Sequence, residues 1–96
     1  MNERRLEELR REIDKVDEAI IELLGRRLKL AREIGLIKGH NRKIRDLRRE
    51  QRVLERVKLQ ASLQQFSPEV AEKIYRILMD YFVSQQEELL RQQRRP

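Results

Sequence analysis

The sequence predicts an all-α fold, a three-helix subunit with one very long N-terminal helix, which pairs with a second copy as an intertwined helical dimer. Charged residues make up 42% of the 96 residues and aromatic residues only 4%, a composition typical of long helices. Apolar residues recur at steps of three and four, which is the spacing of one helix face. Three glycines and two prolines leave few turns, and no alternating strand pattern is present.

The first predicted helix is long enough to require a partner chain. It covers about Glu3–Lys38, with Asn2 as its N-cap and Gly39 just beyond its end, and Gly25 and Gly35 are expected to weaken it slightly. Such a helix is roughly 50 Å long, whereas a compact globule of this length has a radius of gyration of about 12 to 13 Å. Two shorter helices cannot cover its apolar stripe, and we therefore expect a two-fold dimer.

Two shorter helices are predicted to follow. The second begins near Asp46, which can cap it, and ends around Leu63. The third has the clearest start signal, with Ser67 as N-cap, Pro68 at the first helical position and Glu69 in the first turn. The predicted buried faces read Leu6, Leu9, Ile13, Val16, Ile20, Leu23, Leu24, Arg27, Ala31, Ile34 and Lys38; then Leu47, Glu50, Leu54, Val57 and Ala61; then Val70 or Ala71, Ile74, Ile77 or Leu78, Tyr81 or Phe82, and Gln85 or Gln86.

Each predicted helix carries polar side chains on the face that should be buried. They are Arg27 and Lys38 on the first helix, Glu50 on the second, and Gln85 or Gln86 on the third. A buried charge is costly unless a partner compensates it. Glu50 could pair with Arg27 or Lys38 in a structural network. Because two cations face one carboxylate, we favour a polar pocket that binds an anion.

Arg10 does not share this face. At 100° per residue Leu9 is in phase with Arg27, so Arg10 points roughly 100° away from that line. Either Arg10 is an ordinary surface arginine, which the residues alone favour, or it reaches a second pocket formed with the partner chain.

Charge and composition narrow the classes of partner. The net charge of +6 suggests an anionic partner, but acidic residues lie among the basic ones and most of the charge forms a solvated face. We expect no nucleic-acid and no membrane partner. Cysteine is absent, which removes disulfides and thiol chemistry, and there is neither an apolar signal segment nor a run of roughly 20 apolar residues. The expectation is a soluble cytoplasmic protein with a single domain over residues 1–96.

Four segments together carry a family resemblance. They are LRREIDKVDEAIIELLGRR, LAREIGLIK, RDLRRE and IYRILMDYFVSQQ, in this order and spacing. Over about Leu6 to Leu90 the sequence resembles the all-helical chorismate mutases. The resemblance implies an intertwined homodimer of three-helix subunits that acts on a small dianionic substrate. The implied reaction converts chorismate to prephenate, on the way to phenylalanine and tyrosine, and needs no cofactor and no metal.

The resemblance also implies which residues act. Arg10 is implied to cross to the other subunit's site and grip a substrate carboxylate, Arg27 to bind the second carboxylate, and Lys38 to contact the ether oxygen. Gln86 is implied to approach the ether oxygen from the opposite side. If the match to the family is shifted by one residue along that helix, Gln85 takes this role instead. The start of the second helix is implied to contribute Arg45, Asp46, Arg49 and Glu50, of which Glu50 binds the ring hydroxyl.

One position departs from the family pattern. Phe82 stands where several members carry a small hydroxyl residue, one turn before the glutamine. An aromatic residue there is similar to the related isochorismate pyruvate lyases, which make salicylate on the same scaffold. Those enzymes generally lack the RDxxRE pattern, which is complete here from Arg45 to Glu50. We therefore favour the mutase, with the lyase as the alternative and Phe82 as a candidate substrate contact.

A hypothesis of another class is a basic helical binding module. It would use the long amphipathic helix to bind a partner coiled coil or nucleic acid. This hypothesis explains the positive charge but not Glu50 and Gln86 on faces predicted to be buried. His40, in the loop GHNRKI, is expected to be a solvated turn residue and is assigned no role.

Overall fold

The computed structural model describes residues 2–94 and confirms the all-α prediction. Helix α1 covers Glu3–Lys38, helix α2 covers Leu47–Leu63 and helix α3 covers Pro68–Gln93. A short 3-10 turn, Gly39–Asn41, follows α1. No strand occurs in the described range, and none of its helices has the apolar length that a membrane crossing needs.

The ends of α1 lie where the sequence predicts them. The Leu6 amide donates to the Asn2 carbonyl at 2.8 Å, the first hydrogen bond of the helix. Gly39 has φ +61°, so the chain leaves α1 through a left-handed residue, a conformation that glycine adopts at little cost.

The predicted caps of α2 and α3 are also present. The Asp46 carboxylate accepts a hydrogen bond from the Arg49 amide at 3.0 Å. The Ser67 hydroxyl accepts one from the Val70 amide at 3.2 Å, and Pro68 is the first residue of α3. Each cap satisfies an amide that the first turn of a helix leaves without a partner.

Helix α2 ends in a Schellman motif that has no glycine. Gln64 is the C-cap and Gln65 has φ 59°, in the left-handed region. The Phe66 amide donates to Ala61 O at 2.9 Å and the Gln65 amide to Ser62 O at 3.1 Å, which are the two bonds of this motif. A left-handed glutamine costs conformational energy that glycine would not.

The chain divides between Leu30 and Ala31 into two compact units. In the first unit α1 stands as a single helical segment, and no side chain among residues 2–30 is buried. Its predicted apolar face is exposed along most of its length. We call this exposed set the α1 stripe: Leu6, Leu9, Ile13, Val16, Ile20 and Leu23.

The second unit has the hydrophobic core, which lies between α2 and α3. Only four residues separate the two helices, so they form a helical hairpin. Tyr75 of α3 packs against this core from a half-buried position. The core residues are Val53, Leu54, Val57 and Ala61 of α2 with Ala71 and Met79 of α3.

The structure corrects the predicted buried faces of α2 and α3. Leu47 is 72% exposed and Ile74 is 42% exposed, although both were expected inside. Val53 and Met79, which the prediction omitted, are buried. Helix α3 carries two neighbouring apolar stripes, and within this unit only one of them is covered, by α2 at Ala71 and Met79 and by α1 at Gln86. The covered stripe of α3 is Ala71, Met79, Phe82, Gln86 and Leu90.

Candidate functional site

The start of α2 holds a charged cluster built around Arg45. Its guanidinium donates two parallel hydrogen bonds to the Glu50 carboxylate, Nε to Oε2 at 2.8 Å and Nη2 to Oε1 at 2.9 Å. Nη2 also donates to Oδ1 of Asp80 on α3. These bonds to Glu50, and then to Asp80, raise the pKa of Arg45 above its ordinary value. The cluster fixes the Glu50 carboxylate, whose side chain is only 17% exposed.

Glu50 therefore pairs with Arg45, where the sequence suggested Arg27 or Lys38. Asp80 is a member of this cluster that sequence reasoning missed. It lies 35 residues from Arg45 in the chain, and no local motif marks it, because the contact depends on how α3 is rotated against the start of α2.

Asp46 caps α2 and lies near the positive charge of Lys38. The hydrogen bond from the Arg49 amide lowers the pKa of Asp46, and the positive charge of Lys38 lowers it further. Lys38 and Asp46 are therefore electrostatic neighbours, although eight positions separate them in the chain. The Arg49 side chain itself is exposed.

Lys38 is half-buried at the last residue of α1. Its Nζ donates to the Ile44 carbonyl at 3.1 Å, which ties the end of α1 to the segment that leads into α2. An ammonium group has three donors, so this bond leaves further N–H groups for an anion or an ether oxygen.

Gln86 is buried, with 7% of its surface exposed, and it faces α1. Its Nε2 donates to the Ala31 carbonyl at 2.6 Å. A Cβ at Gly35 would meet Gln86 Cγ at 3.1 Å and Cβ at 3.2 Å, so the absence of a side chain at Gly35 allows this approach. Ala31, Gly35 and Lys38 are spaced by four and three and share one face of α1. Gln86 thus lies against the α1 face that carries Lys38.

The neighbouring residues on α3 have different environments. Gln85 accepts a hydrogen bond from Arg32 Nη2 at 2.9 Å and lies at a less buried position than Gln86. Phe82, one turn before Gln86, is 5% exposed, and its ring centroid lies 5.7 Å from that of Tyr81. The aromatic side chain at this position is therefore part of the buried face.

The remaining candidates, Arg10 and Arg27, belong to the first unit. Arg10 pairs with Glu7 of the same helix at 2.9 Å, and both side chains are largely exposed. Arg27 is half-buried. Within residues 2–94 no group of three or more histidine, cysteine, aspartate or glutamate side chains is arranged to hold a metal ion.

Comparison with known proteins gives a family match that covers most of the chain. The profile of the family described as chorismate mutase type II matches residues 9–87. A curated relative, the bifunctional chorismate mutase/prephenate dehydratase of Aquifex aeolicus (strain VF5), is 47% identical over 53 residues. That alignment covers 54% of this chain and 15% of the relative, so the chain spans only a small part of the relative's length.

Proposed function

Because the chain belongs to the chorismate mutase type II family, we propose that it catalyses the rearrangement of chorismate to prephenate. The observation that carries this proposal is the pair Lys38 and Gln86. One is a half-buried cation and the other a buried amide, and Gln86 lies against the α1 face that carries Lys38. The reaction develops negative charge on an ether oxygen, and these are the two types of donor that such an oxygen needs.

The reaction is pericyclic: a carbon–oxygen bond breaks while a carbon–carbon bond forms, and no nucleophile or proton relay takes part. The protein has to hold a flexible dianion in a compact chair conformation. Arg10, Arg27 and Arg49 are the proposed carboxylate ligands. A guanidinium stays charged and meets a carboxylate through two parallel hydrogen bonds, which fixes its orientation as well as its position.

Lys38 and Gln86 are proposed to act on the breaking bond. The Lys38 ammonium keeps donors beyond its hydrogen bond to Ile44, and the Gln86 amide has a second N–H beyond the one that it donates to Ala31. Both would stabilise a charged oxygen more than the ground-state ether, which lowers the barrier instead of merely tightening substrate binding.

Glu50 is proposed to accept a hydrogen bond from the ring hydroxyl. Arg45 holds both carboxylate oxygens of Glu50 from one side, and each oxygen keeps a further lone pair for another donor. Asp46 supports the same segment by capping α2. The cap fixes the backbone of the first turn, from which the side chains of Arg45, Arg49 and Glu50 extend.

The proposed assembly is a homodimer in the cytoplasm. The exposed α1 stripe supports it, because a row of apolar side chains this long gains free energy when a second copy covers it. In such a dimer Arg10 would serve the partner subunit's site, which accounts for its position off the Arg27 face.

The decisive experiment supplies chorismate and isochorismate separately to the purified protein. We expect chorismate to be consumed with formation of prephenate. The second candidate function is an isochorismate pyruvate lyase, which the buried Phe82 favours. Formation of salicylate and pyruvate from isochorismate, with chorismate left intact, would reject the mutase in favour of the lyase. Consumption of neither substrate, with retention on DNA that weakens as salt rises, would instead favour the binding module.

A further inference from the structure

A cavity that is open to solvent lies beside the proposed active site, and neither Lys38, Glu50 nor Gln86 is among its lining residues. Its volume is about 300 Å³, which is the lower end of the range for small-molecule sites. It is bounded on one side by the segment between α1 and α2 and on the other by the last turns of α3. Its lining residues are Gly39, His40, Arg42, Ile44, Glu87, Leu90, Arg91 and Arg94.

The polar lining consists mainly of hydrogen-bond donors. Arg94 Nε donates to His40 Nδ1 at 3.0 Å. Because Nδ1 accepts this bond, the hydrogen-bond network assigns the imidazole proton to Nε2, which leaves His40 with an N–H donor. The terminal nitrogens of Arg94 remain as further donors, and this contact joins two parts of the chain 54 residues apart.

The charge of the lining is positive. Arg42, Arg91 and Arg94 contribute three cations, and Glu87 is the acidic residue among the lining residues. Arg91 also pairs with Glu88, through Nη2 at 2.6 Å. Arg42 and Arg94 therefore supply the charge that an anionic ligand would meet.

Apolar groups complete the lining and define the class of ligand. Leu90 is buried and Ile44 is half-buried, and both line the cavity beside the arginines. An inorganic anion would leave these apolar side chains unused. We infer that this cavity binds a small organic carboxylate with an apolar body, the carboxylate at Arg94 and Arg42 and the body against Ile44 and Leu90.

The cavity is connected to the proposed active site through Ile44. Ile44 lines the cavity, and its carbonyl accepts the hydrogen bond from Lys38 Nζ. A bound carboxylate would restrict the segment that anchors Lys38, and it would therefore change turnover. This second step rests on the proposed function, whereas the binding step does not.

The binding test uses benzoate as the probe, with acetate and inorganic phosphate for comparison. His40 is the single histidine of the chain, so its imidazole NMR signals report on this cavity. We expect benzoate to shift these signals in a saturable way and to bind about tenfold more tightly than acetate or phosphate, because only benzoate buries an apolar ring. Phosphate binding as tight as benzoate, or shifts that never saturate, would overturn the inference.

Two variants each remove one arginine charge from α3, one in the cavity and one outside it. Arg94→Gln is expected to weaken benzoate binding by about tenfold or more, since it removes a charge-assisted hydrogen bond. Arg76→Gln, on a part of α3 where Arg76 pairs with Glu72, is expected to leave the affinity unchanged. Equal affinities in wild type and Arg94→Gln would exclude the site.

The coupling test measures turnover over a range of chorismate concentrations, with the cavity filled by benzoate. We expect a change in kcat that Arg94→Gln abolishes, and no competition with chorismate in KM. Saturable binding with unchanged kcat would refute the coupling. The NMR titration needs no activity, so a failure of the binding site is distinguishable from a failure of the proposed function.

Discussion

At the scale of single residues, the candidate site depends on polar side chains that already have hydrogen-bond partners within the chain. Glu50 is clamped by Arg45, Lys38 is tied to the Ile44 carbonyl, and Gln86 is tied to the Ala31 carbonyl. These hydrogen bonds restrict the side chains before a substrate arrives. A site that is ordered in advance loses less free energy on orienting its substrate.

The role of Lys38 is tested by Lys38→Ala. We expect turnover to fall by about 100- to 1000-fold, which is the scale for removing one well-placed donor to a developing charge. Single-turnover kinetics with chorismate would measure it, with circular dichroism to confirm that the variant folds. Lys29→Ala, at an exposed position of α1, is the matched control, and near-normal turnover of Lys38→Ala would disprove the role.

Gly35 is expected to be more important for activity than for stability. Gly35→Ala places a methyl group about 3.1 Å from Gln86 Cγ, so the Gln86 amide must move, and turnover should fall by about tenfold. Gly25→Ala is the control, because a Cβ there meets nothing within 4 Å. That substitution should raise stability by about 0.5 to 1 kcal/mol and leave turnover unchanged. Equal turnover in both variants would contradict the expectation.

At the scale of the elements, the signals at helix ends were the most reliable part of the sequence. Asp46, Ser67 with Pro68, and Gly39 each have the role that local chemistry predicts. Capping involves only neighbours within a few positions of the chain, so it is independent of how helices pack. The predicted end of α2 around Leu63 is also observed, although the left-handed Gln65 that follows it has no distinctive sequence signal.

The Schellman motif offers a stabilising substitution at Gln65. Gln65→Gly is expected to raise the free energy of unfolding by about 1 kcal/mol, since glycine adopts φ 59° without steric cost. The urea midpoint should rise with an unchanged m-value. Gln65→Val, which is more strained in this conformation, should lower the midpoint, and the opposite order of the two variants would show that the turn does not limit stability.

The cap at Asp46 predicts a dependence of stability on pH. Its pKa is lowered in the folded protein, so the ionised cap stabilises the fold above the ordinary aspartate pKa, and this contribution is lost as the pH falls through the folded value. Asp46→Ala should therefore lower the urea midpoint at pH 7 and approach wild type in strong acid. Asp46→Asn retains a capping side chain without the charge. The expectation would be contradicted if the urea midpoints of wild type and Asp46→Ala differed by the same amount from pH 7 to pH 2.

At the scale of the whole molecule, the exposed α1 stripe predicts self-association. We expect a dimer in sedimentation equilibrium. Val16→Lys, within the stripe and 56% exposed, should shift the equilibrium toward monomer and lower turnover, because Arg10 would lose the partner's site. Leu63→Lys is the control, at a residue that is 73% exposed near the end of α2. A wild-type monomer with full turnover would overturn both the dimer and the role of Arg10.

The sequence by itself determined the helices, their caps and the choice of polar residues at the candidate site, because these depend on periodicity and on neighbours along the chain. Tertiary structure alone decided which stripe of α3 is buried, that Arg45 clamps Glu50 with the help of Asp80, and that Gly35 admits Gln86. The contacts to a second helix join residues 35 to 55 positions apart. They depend on the rotation of one helix against another, and where two apolar stripes lie side by side on α3, the helical period does not specify that rotation.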